Sequence, residues 1–188
     1  MWPREIVFLP GVDGGLMGAE PSILWIRNNL RLDDNPPLKE SVRHGGPVIP
    51  VFVFDTESGS DESPGAASRW WLHQSLKSLD AALSRIGSRL VLRCGNAREQ
   101  CLRLVRECGA KAVFADRRYE PASIAADVPL RAELAVQGVK FHLAASALLF
   151  EPDQVATQNG SPYRIFTPFW KACLSSREPA PPLAPPVE

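Results

Sequence analysis

The sequence lacks a long apolar run and has no excess of charge of either sign. Its 21 Lys and Arg residues are matched by 21 Asp and Glu residues in a chain of 188. No overall field therefore attracts nucleic acid, and any binding of a polyanion must be local. The first apolar run covers only Ile6–Leu9, which is far short of a signal peptide or a membrane span. We expect a soluble, cytoplasmic protein that does not bind membranes.

Cysteine is scarce, and its spacing fits no metal or redox motif. The four cysteines form no C-x-x-C pair and have no histidine at metal-ligand spacing; they are Cys94, Cys101, Cys108 and Cys173. Neither a zinc site nor thioredoxin-type chemistry is supported, so we predict no metal ligands. We expect these residues to be small buried apolar side chains in a reducing compartment.

Motifs for phosphate binding and hydrolysis are also missing. The glycine-rich stretch GVDGGLMG precedes the first clear strand and lacks the Lys-Ser/Thr ending of a P-loop. The three histidines are scattered, and no serine lies in a G-x-S-x-G elbow. We therefore predict no catalytic residues for hydrolysis.

Strand-like and helix-like segments alternate from residue 22 onward. The strands are short and rich in apolar and β-branched residues, and four helices with capping or stop residues separate them. This alternation predicts an α/β fold, namely a doubly wound, mostly parallel five-stranded sheet with helices on both faces, of Rossmann-like type. The predicted strands are 23–26, 48–55, 89–94, 112–115 and 139–144, and the predicted helices are 36–44, 72–86, 97–108 and 122–137.

The two ends of the chain differ in composition from the middle. Residues 1–21 are rich in glycine and predict a loose extension, and residues 22–174 form the predicted α/β domain. Residues 175–188 are dense in proline, which predicts an extended linker that does not pack. Residues 56–65 are rich in Ser, Gly and acidic residues and predict a loop.

Polar residues follow three of the predicted strands. Ligands of doubly wound sheets bind beyond the carboxyl ends of the strands, where the strand order reverses. Segments 27–35 and 116–121, together with Asp55, should therefore meet at one edge of the sheet. Arg and Asn side chains there suit a planar heteroaromatic ring or a seam between domains. The alternative is that residues 33–35 only form a turn and a helix cap, while Arg27 and Arg31 pair with acids.

Several aromatic residues fall outside the strands. They are able to stack on a planar ligand or a base. We expect most of them to be packed instead; they are Trp70, Trp71, Phe166, Phe169 and Trp170.

Five segments follow one another from about residue 22 to the end of the chain. They read WIRNNLRLDDNP, GPVIPVFVFD, SRWWLHQSLKSLDAAL, YEP and YRIFTPFWKACL. In order and spacing they resemble motifs of the DNA photolyase and cryptochrome family, including its W-x-R-x-D-L-R-x-x-D-N opening. The resemblance is greatest to the N-terminal α/β domain of bacterial-type cyclobutane pyrimidine dimer photolyases.

The resemblance implies a light-harvesting function. In that family the α/β domain binds an antenna chromophore, which is methenyltetrahydrofolate, 8-hydroxy-5-deazaflavin or a flavin. A following helical domain binds the catalytic FAD and the damaged DNA, and light drives repair of pyrimidine dimers. We expect that helical domain to be missing here, so this chain alone is predicted to be inactive as a deoxyribodipyrimidine photo-lyase. Any FAD and any damaged DNA would be bound only through the missing domain.

The resemblance also implies which residues contact the antenna chromophore or support its pocket. They are Arg27, Asn28, Phe52, Val53, Phe54, Asp55, Arg69, Arg118 and Glu120. Three positions depart from the family pattern: Asn29 replaces an Asp, Arg118 stands where deazaflavin-binding relatives carry Asp, and Ala126 replaces an Arg. The identity of the chromophore therefore stays open.

Two other functions are compatible with the sequence. One is a cryptochrome-like blue-light sensor whose α/β domain mediates protein contacts. The other is a stand-alone nucleotide-binding module, because doubly wound sheets host many functions. We also expect an exposed apolar surface around residues 163–170 and, as a result, weak self-association.

Overall fold

The computed structural model describes residues 20–56, 65–176 and 178–185. The predicted extension lies outside the described residues except for its last two, and so does most of the predicted loop at 56–65. In the described ranges five strands and five helices follow one another. They are β1 (Ser22–Ile26), α1 (Pro36–Arg43), β2 (Val48–Phe54), α2 (Ala66–Arg85), β3 (Val91–Cys94), α3 (Ala97–Cys108), β4 (Ala112–Asp116), α4 (Pro121–Val136), β5 (Lys140–Ala144) and α5 (Phe166–Ser175).

The five strands form one parallel sheet in the order β3-β2-β1-β4-β5. The central strand β1 pairs with β2 on one side and with β4 on the other. The strand order therefore reverses between β1 and β4, which is where doubly wound folds bind ligands. The predicted fold class is confirmed.

Helices cover both faces of the sheet, because alternate strand residues point to opposite sides. Ile23 and Trp25 of β1 pack with α3 and α4 in one buried cluster. Leu24 and Ile26 pack with α1 and α2 in the other. All residues of β2 except Phe54 are buried, as a strand covered on both faces requires.

Capping residues set the starts of two helices. The side chain of Asn35 accepts a hydrogen bond from the Leu38 N–H at 3.0 Å, and Pro36 occupies the first turn of α1. Asn96 caps α3 in the same way through the Glu99 N–H. Gly109 ends α3 with a φ of 66°, in the left-handed region that glycine adopts without strain.

Two helices differ from the prediction. The helix α2 begins at Ala66, earlier than the apolar stripe that starts at Leu72. The prediction missed its first turns because they are exposed and contribute nothing to that stripe. The helix α5 was not predicted, and none of its residues is buried. Its large apolar side chains recur at helical spacing but form an exposed stripe; they are Phe166, Phe169, Trp170 and Leu174.

The cysteines are not uniformly buried. Cys101 is buried, Cys108 and Cys173 are half-buried, and Cys94 is exposed at the end of β3, so the prediction is wrong for Cys94. Among the described residues, no cluster of His, Cys, Asp or Glu is arranged to hold a metal ion. In the same part of the chain, no helix combines the length and apolarity needed to cross a bilayer.

The proline-rich end of the chain contacts the domain. Residues 178–185 form neither helix nor strand. Leu183 nevertheless exchanges two hydrogen bonds with Asp34, in the turn before α1. The expectation that this segment does not pack is wrong at Leu183.

Candidate functional site

A cavity of about 430 Å³ lies at the carboxyl ends of the strands. We call it the rim cavity. Its walls come from Trp25 in β1, Asp55 after β2, Asn96 and Arg98 around the start of α3, and Arg118 after β4, and α4 closes one side. The parallel sheet brings these distant segments together because all its strands end at the same edge.

Three charged residues form an ion-pair cluster in the wall of the rim cavity: Arg118 and Asp127, which line the cavity, and Arg27 behind them. The Arg27 guanidinium donates to both carboxylate oxygens of Asp127, at 2.8 and 3.0 Å. Arg118 Nη2 donates to Asp127 Oδ1 at 2.9 Å. The side chains of Arg27, Asp127 and Arg118 are only 4%, 9% and 24% exposed. Bidentate geometry and burial make this cluster a rigid part of the wall.

The aromatic ring of Trp25 supports the cluster. The Arg27 guanidinium carbon lies 3.9 Å from the centre of that ring, within the range of a cation–π contact. Because Trp25 also lines the rim cavity, the packing of the cavity wall and the placement of Arg27 depend on each other.

Burial changes the electrostatics around the cluster. It lowers the pKa of Arg27, an effect that the hydrogen bonds Arg27 donates to Asp127 oppose. Burial also raises the pKa of Asp116, although hydrogen bonds from the backbone of Asp116 and Asn28 oppose that shift. Two guanidiniums therefore share the Asp127 carboxylate. Arg118, which lines the rim cavity, places a cationic hydrogen-bond donor at this end of it.

The structure brings three of the predicted site residues together. Asp55 and Arg118 line the rim cavity. Arg27 lies beside it, but its guanidinium is engaged with Asp127 inside the domain. Arg27 is thus placed to support the wall of the cavity.

The aromatic residues predicted for the site lie elsewhere. Phe52 belongs to the buried cluster on the α1 and α2 side of the sheet, and Val53 to the cluster on the opposite side. Phe54 lines a different cavity of about 440 Å³, together with His73 and Lys77 of α2. The rim cavity is bordered by α3 and α4, so Phe52 and Phe54 are across the sheet from it.

The remaining predicted residues are exposed. Asn28 follows β1, and Arg69 lies in the first turn of α2. Glu120 is the N-cap residue of α4 but makes no side-chain capping bond. Its carboxylate instead accepts a hydrogen bond from the Tyr119 N–H at 3.2 Å.

The contacts of the segment after β1 agree with the alternative interpretation, in which its polar residues cap a helix and its arginines pair with acids. Asn35 caps α1, Arg27 pairs with Asp127, and Arg31 pairs with Asp34 at 3.4 Å. The polar density of residues 27–35 is thus largely explained by contacts within the domain.

Sequence reasoning missed Asp127 as a site residue. It shares the buried face of α4 with Leu130 and Leu134, where it is the charged member of an otherwise apolar stripe. A buried acid needs a buried cation as its partner, so an acidic residue in an apolar stripe indicates a buried ion pair. The sequence does not identify that cation, because Arg27 lies 100 residues away.

A further cavity of about 410 Å³ lies on the other side of the ion-pair cluster, between α4 and the loop after β5. The Tyr119 hydroxyl donates to Glu151 Oε1 at 2.5 Å, and Arg117 Nη1 donates to Glu151 Oε2 at 2.7 Å. Burial and Glu151 together raise the pKa of Tyr119 to about 12.

This shift predicts the titration of Tyr119. Tyr119 and Tyr163 are the two tyrosines of the chain, so the variant Tyr163→Phe isolates Tyr119. We expect its phenolate absorbance to appear with a midpoint near pH 12, against 10.0 for an unperturbed tyrosine. In Glu151→Gln the pKa should fall, because the charge that disfavours the phenolate is removed. The raised pKa stabilises the fold below about pH 10, and this contribution is lost as the pH rises towards about 12.

The matched control is Asp153→Asn, which removes an exposed acid that lines the same cavity. It should leave the Tyr119 midpoint in place. An unchanged midpoint in Glu151→Gln would show that the charge of Glu151 does not contribute.

The aromatic residues expected to be packed are instead at the surface. Trp70 and Trp71 are 62% and 67% exposed in α2. In α5 the large apolar side chains are also exposed; they are Phe166, Phe169, Trp170 and Leu174. The packing prediction is wrong for the five aromatic residues, whereas the exposed apolar surface predicted around residues 163–170 is confirmed. An apolar surface of this kind is typical of a contact region.

The comparisons with known proteins agree with this architecture. A family model described as DNA photolyase matches residues 22–187. Deoxyribodipyrimidine photo-lyase of Agrobacterium fabrum is 43% identical over 166 residues, which is 88% of this chain and 34% of that protein. Cryptochrome-1 of Arabidopsis thaliana is 38% identical over 167 residues, which is 88% of this chain and 24% of that protein.

Solved structures show the same fold. A bacterial class III photolyase from Agrobacterium tumefaciens superposes with a TM-score of 0.83 at 42% identity, covering 90% of this chain and 35% of that one. An archaeal photolyase from Sulfolobus tokodaii, solved with two FAD molecules, gives a TM-score of 0.69 at 26% identity, covering 87% and 36%. The chain spans about a third of the length of the photolyases that it matches. With the family model covering nearly all of it, this chain belongs to the DNA photolyase family.

Proposed function

We propose that this domain is the light-harvesting part of a deoxyribodipyrimidine photolyase and that it holds a planar antenna chromophore in the rim cavity. The observation that carries the proposal is the convergence of Trp25, Asp55, Asn96 and Arg118 on one hollow at the switch point of the sheet. Its volume of about 430 Å³ lies within the range of small-molecule sites, which is roughly 300–1,000 Å³.

The walls of the rim cavity meet the physical needs of an antenna. A chromophore that passes on excitation must be held rigidly, because a mobile dye loses energy as heat and changes its orientation. The ion-pair cluster and the strand β1 supply rigid walls. Asp55, Asn96 and Arg118 offer acceptors and donors for the edges of a heteroaromatic ring. When bound, the chromophore would absorb near-ultraviolet or blue light.

The residues do not select one chromophore. Methenyltetrahydrofolate, 8-hydroxy-5-deazaflavin and flavins all contain a planar heteroaromatic ring with hydrogen-bonding edges, which the polar residues of the cavity suit equally. Catalytic FAD and contact with damaged DNA belong, on this proposal, to the helical domain found in the longer members of the family.

The test is the absorption spectrum of the purified chain, incubated separately with each of these three chromophores. We expect one of them to bind, with its absorption band retained after gel filtration and its mass recovered on release. Asp55→Ala should weaken that binding at least about tenfold, because the hydrogen bond that its carboxyl group would accept from the chromophore is lost.

Asp153→Asn is the matched control, since Asp153 is an exposed acid that lines the neighbouring cavity. It should bind the chromophore like the unmodified chain. Equal binding by Asp55→Ala would place the chromophore elsewhere, and no binding of any of the three would contradict the antenna function.

A cryptochrome-like sensor is the second candidate, supported by the similarity to Cryptochrome-1 and by the exposed aromatic residues of α2 and α5. On this alternative those surfaces contact other proteins. Light-dependent repair of pyrimidine dimers by a protein that joins this chain to a helical FAD domain would favour the photolyase. Absence of repair, with light-dependent capture of a partner, would favour the sensor.

A further inference from the structure

The proline-rich segment at residues 178–185, which we call the strap, returns to the turn between β1 and α1. The Asp34 N–H donates to the Leu183 carbonyl at 2.9 Å, and the Leu183 N–H donates to Asp34 Oδ1 at 3.1 Å. A single residue of the domain therefore satisfies both backbone groups of Leu183. The contact joins residues 149 positions apart in the chain.

Asp34 makes this contact from a strained backbone conformation. Its φ of 46° lies in the left-handed region. Among the described residues, Asp34 is the only one other than glycine with a positive φ. Aspartate tolerates this region better than most residues, but still at a cost. Arg31 holds the turn in place by donating to the Asp34 carbonyl at 3.0 Å and to its carboxylate at 3.4 Å. Strain that is maintained in this way often marks a functional position.

The composition of the strap lowers the cost of docking it. Prolines occupy four of its positions, namely Pro179, Pro181, Pro182 and Pro185. Each fixes its own φ, so the free strap has less conformational entropy to lose on binding. Proline also lacks an N–H, so the strap has few backbone donors. One of them, the Leu183 N–H, donates to Asp34. The prolines therefore reduce the entropic cost of the two hydrogen bonds at Leu183.

We propose that Asp34 is a positioning residue that latches the strap to the domain. The chain then leaves the α/β domain at a fixed point beside residues 27–35. Any part of a protein that continues from the strap would start from a set position and direction relative to the rim cavity. This inference stands independently of whether the cavity binds a chromophore.

Amide hydrogen exchange at Leu183, followed by NMR in the full chain, tests the latch. We expect the Leu183 amide to be protected in the unmodified chain. In Asp34→Gly the left-handed backbone is retained without strain but the acceptor is lost, so protection should fall about tenfold. Asp34→Asn keeps an acceptor at Oδ1 and should keep most of the protection.

Asp33→Asn is the control for charge in the same turn, because Asp33 contributes its backbone carbonyl to Arg31 and not its side chain. It should leave Leu183 protected. Exchange of Leu183 at the rate of an unstructured peptide in the unmodified chain, or unchanged protection in Asp34→Gly, would overturn the proposal. Amides of β1 serve as the internal reference for folding in every variant.

Discussion

Replacing Asp127 with alanine should lower the free energy of unfolding by about 3–5 kcal/mol, the cost typical of breaking a buried ion pair. The substitution leaves Arg27 and Arg118 with no carboxylate at hydrogen-bonding distance in the cluster. Arg27 cannot regain water without disturbing the wall, because its side chain is enclosed by Trp25 and Phe141. The measurement is urea denaturation, with the slope compared between variants to confirm that the same surface unfolds.

Glu133→Ala is the matched control, because it removes another acid of α4 that pairs with an arginine. Glu133 accepts from Arg98 at 2.8 Å, but these side chains are 43% and 44% exposed. Solvent screening reduces the value of such a pair, so we expect a loss of no more than about 1 kcal/mol. Similar losses in both variants would show that the Asp127 cluster is not buried as described.

Leu134→Ala should be nearly as destabilising, for a different reason. Leu134 is fully buried on α4, in the apolar cluster that also contains Ile23 and Leu104. Removing its side chain deletes buried apolar surface and leaves a cavity that the neighbouring side chains fill only in part. We expect the free energy of unfolding to fall by about 2–5 kcal/mol. Thermal and urea denaturation should both report this loss.

The comparison for Leu134→Ala is Val136→Ala in the same helix. Val136 is 89% exposed, so its truncation should change the free energy of unfolding by no more than about 0.5 kcal/mol. Equal effects of the two substitutions would contradict the packing of α4 against the sheet.

The fold was largely predictable because its strands and most of its helices bury apolar side chains. The continuous apolar run of β2 and the leucine stripe of α2 each reflect a buried surface. The first turns of α2 were not predicted because they lie outside its leucine stripe. The helix α5 was not predicted although its apolar residues recur at helical spacing, and none of its residues is buried in this domain.

The site was predictable only as an edge of the sheet. The resemblance to photolyases named Asp55 and Arg118, which share the rim cavity, and also Phe54, which lies on the other side of the sheet. Adjacent strand residues point in opposite directions, so a motif that runs along β2 contributes to both faces. The pairing of Arg27 with Asp127 could not be predicted from the sequence, because no local pattern connects residues after β1 to α4.

The position of β1 in the middle of the sheet affects how the chain assembles during synthesis. Ser22 pairs with Val48 on one side and with Ala112 on the other. The first pairing requires closure of a short loop, whereas the second must wait until β4 has left the ribosome. In the interval one edge of β1 has unpaired backbone groups, so until its fourth strand emerges the nascent chain exposes a strand edge at which another chain is able to pair.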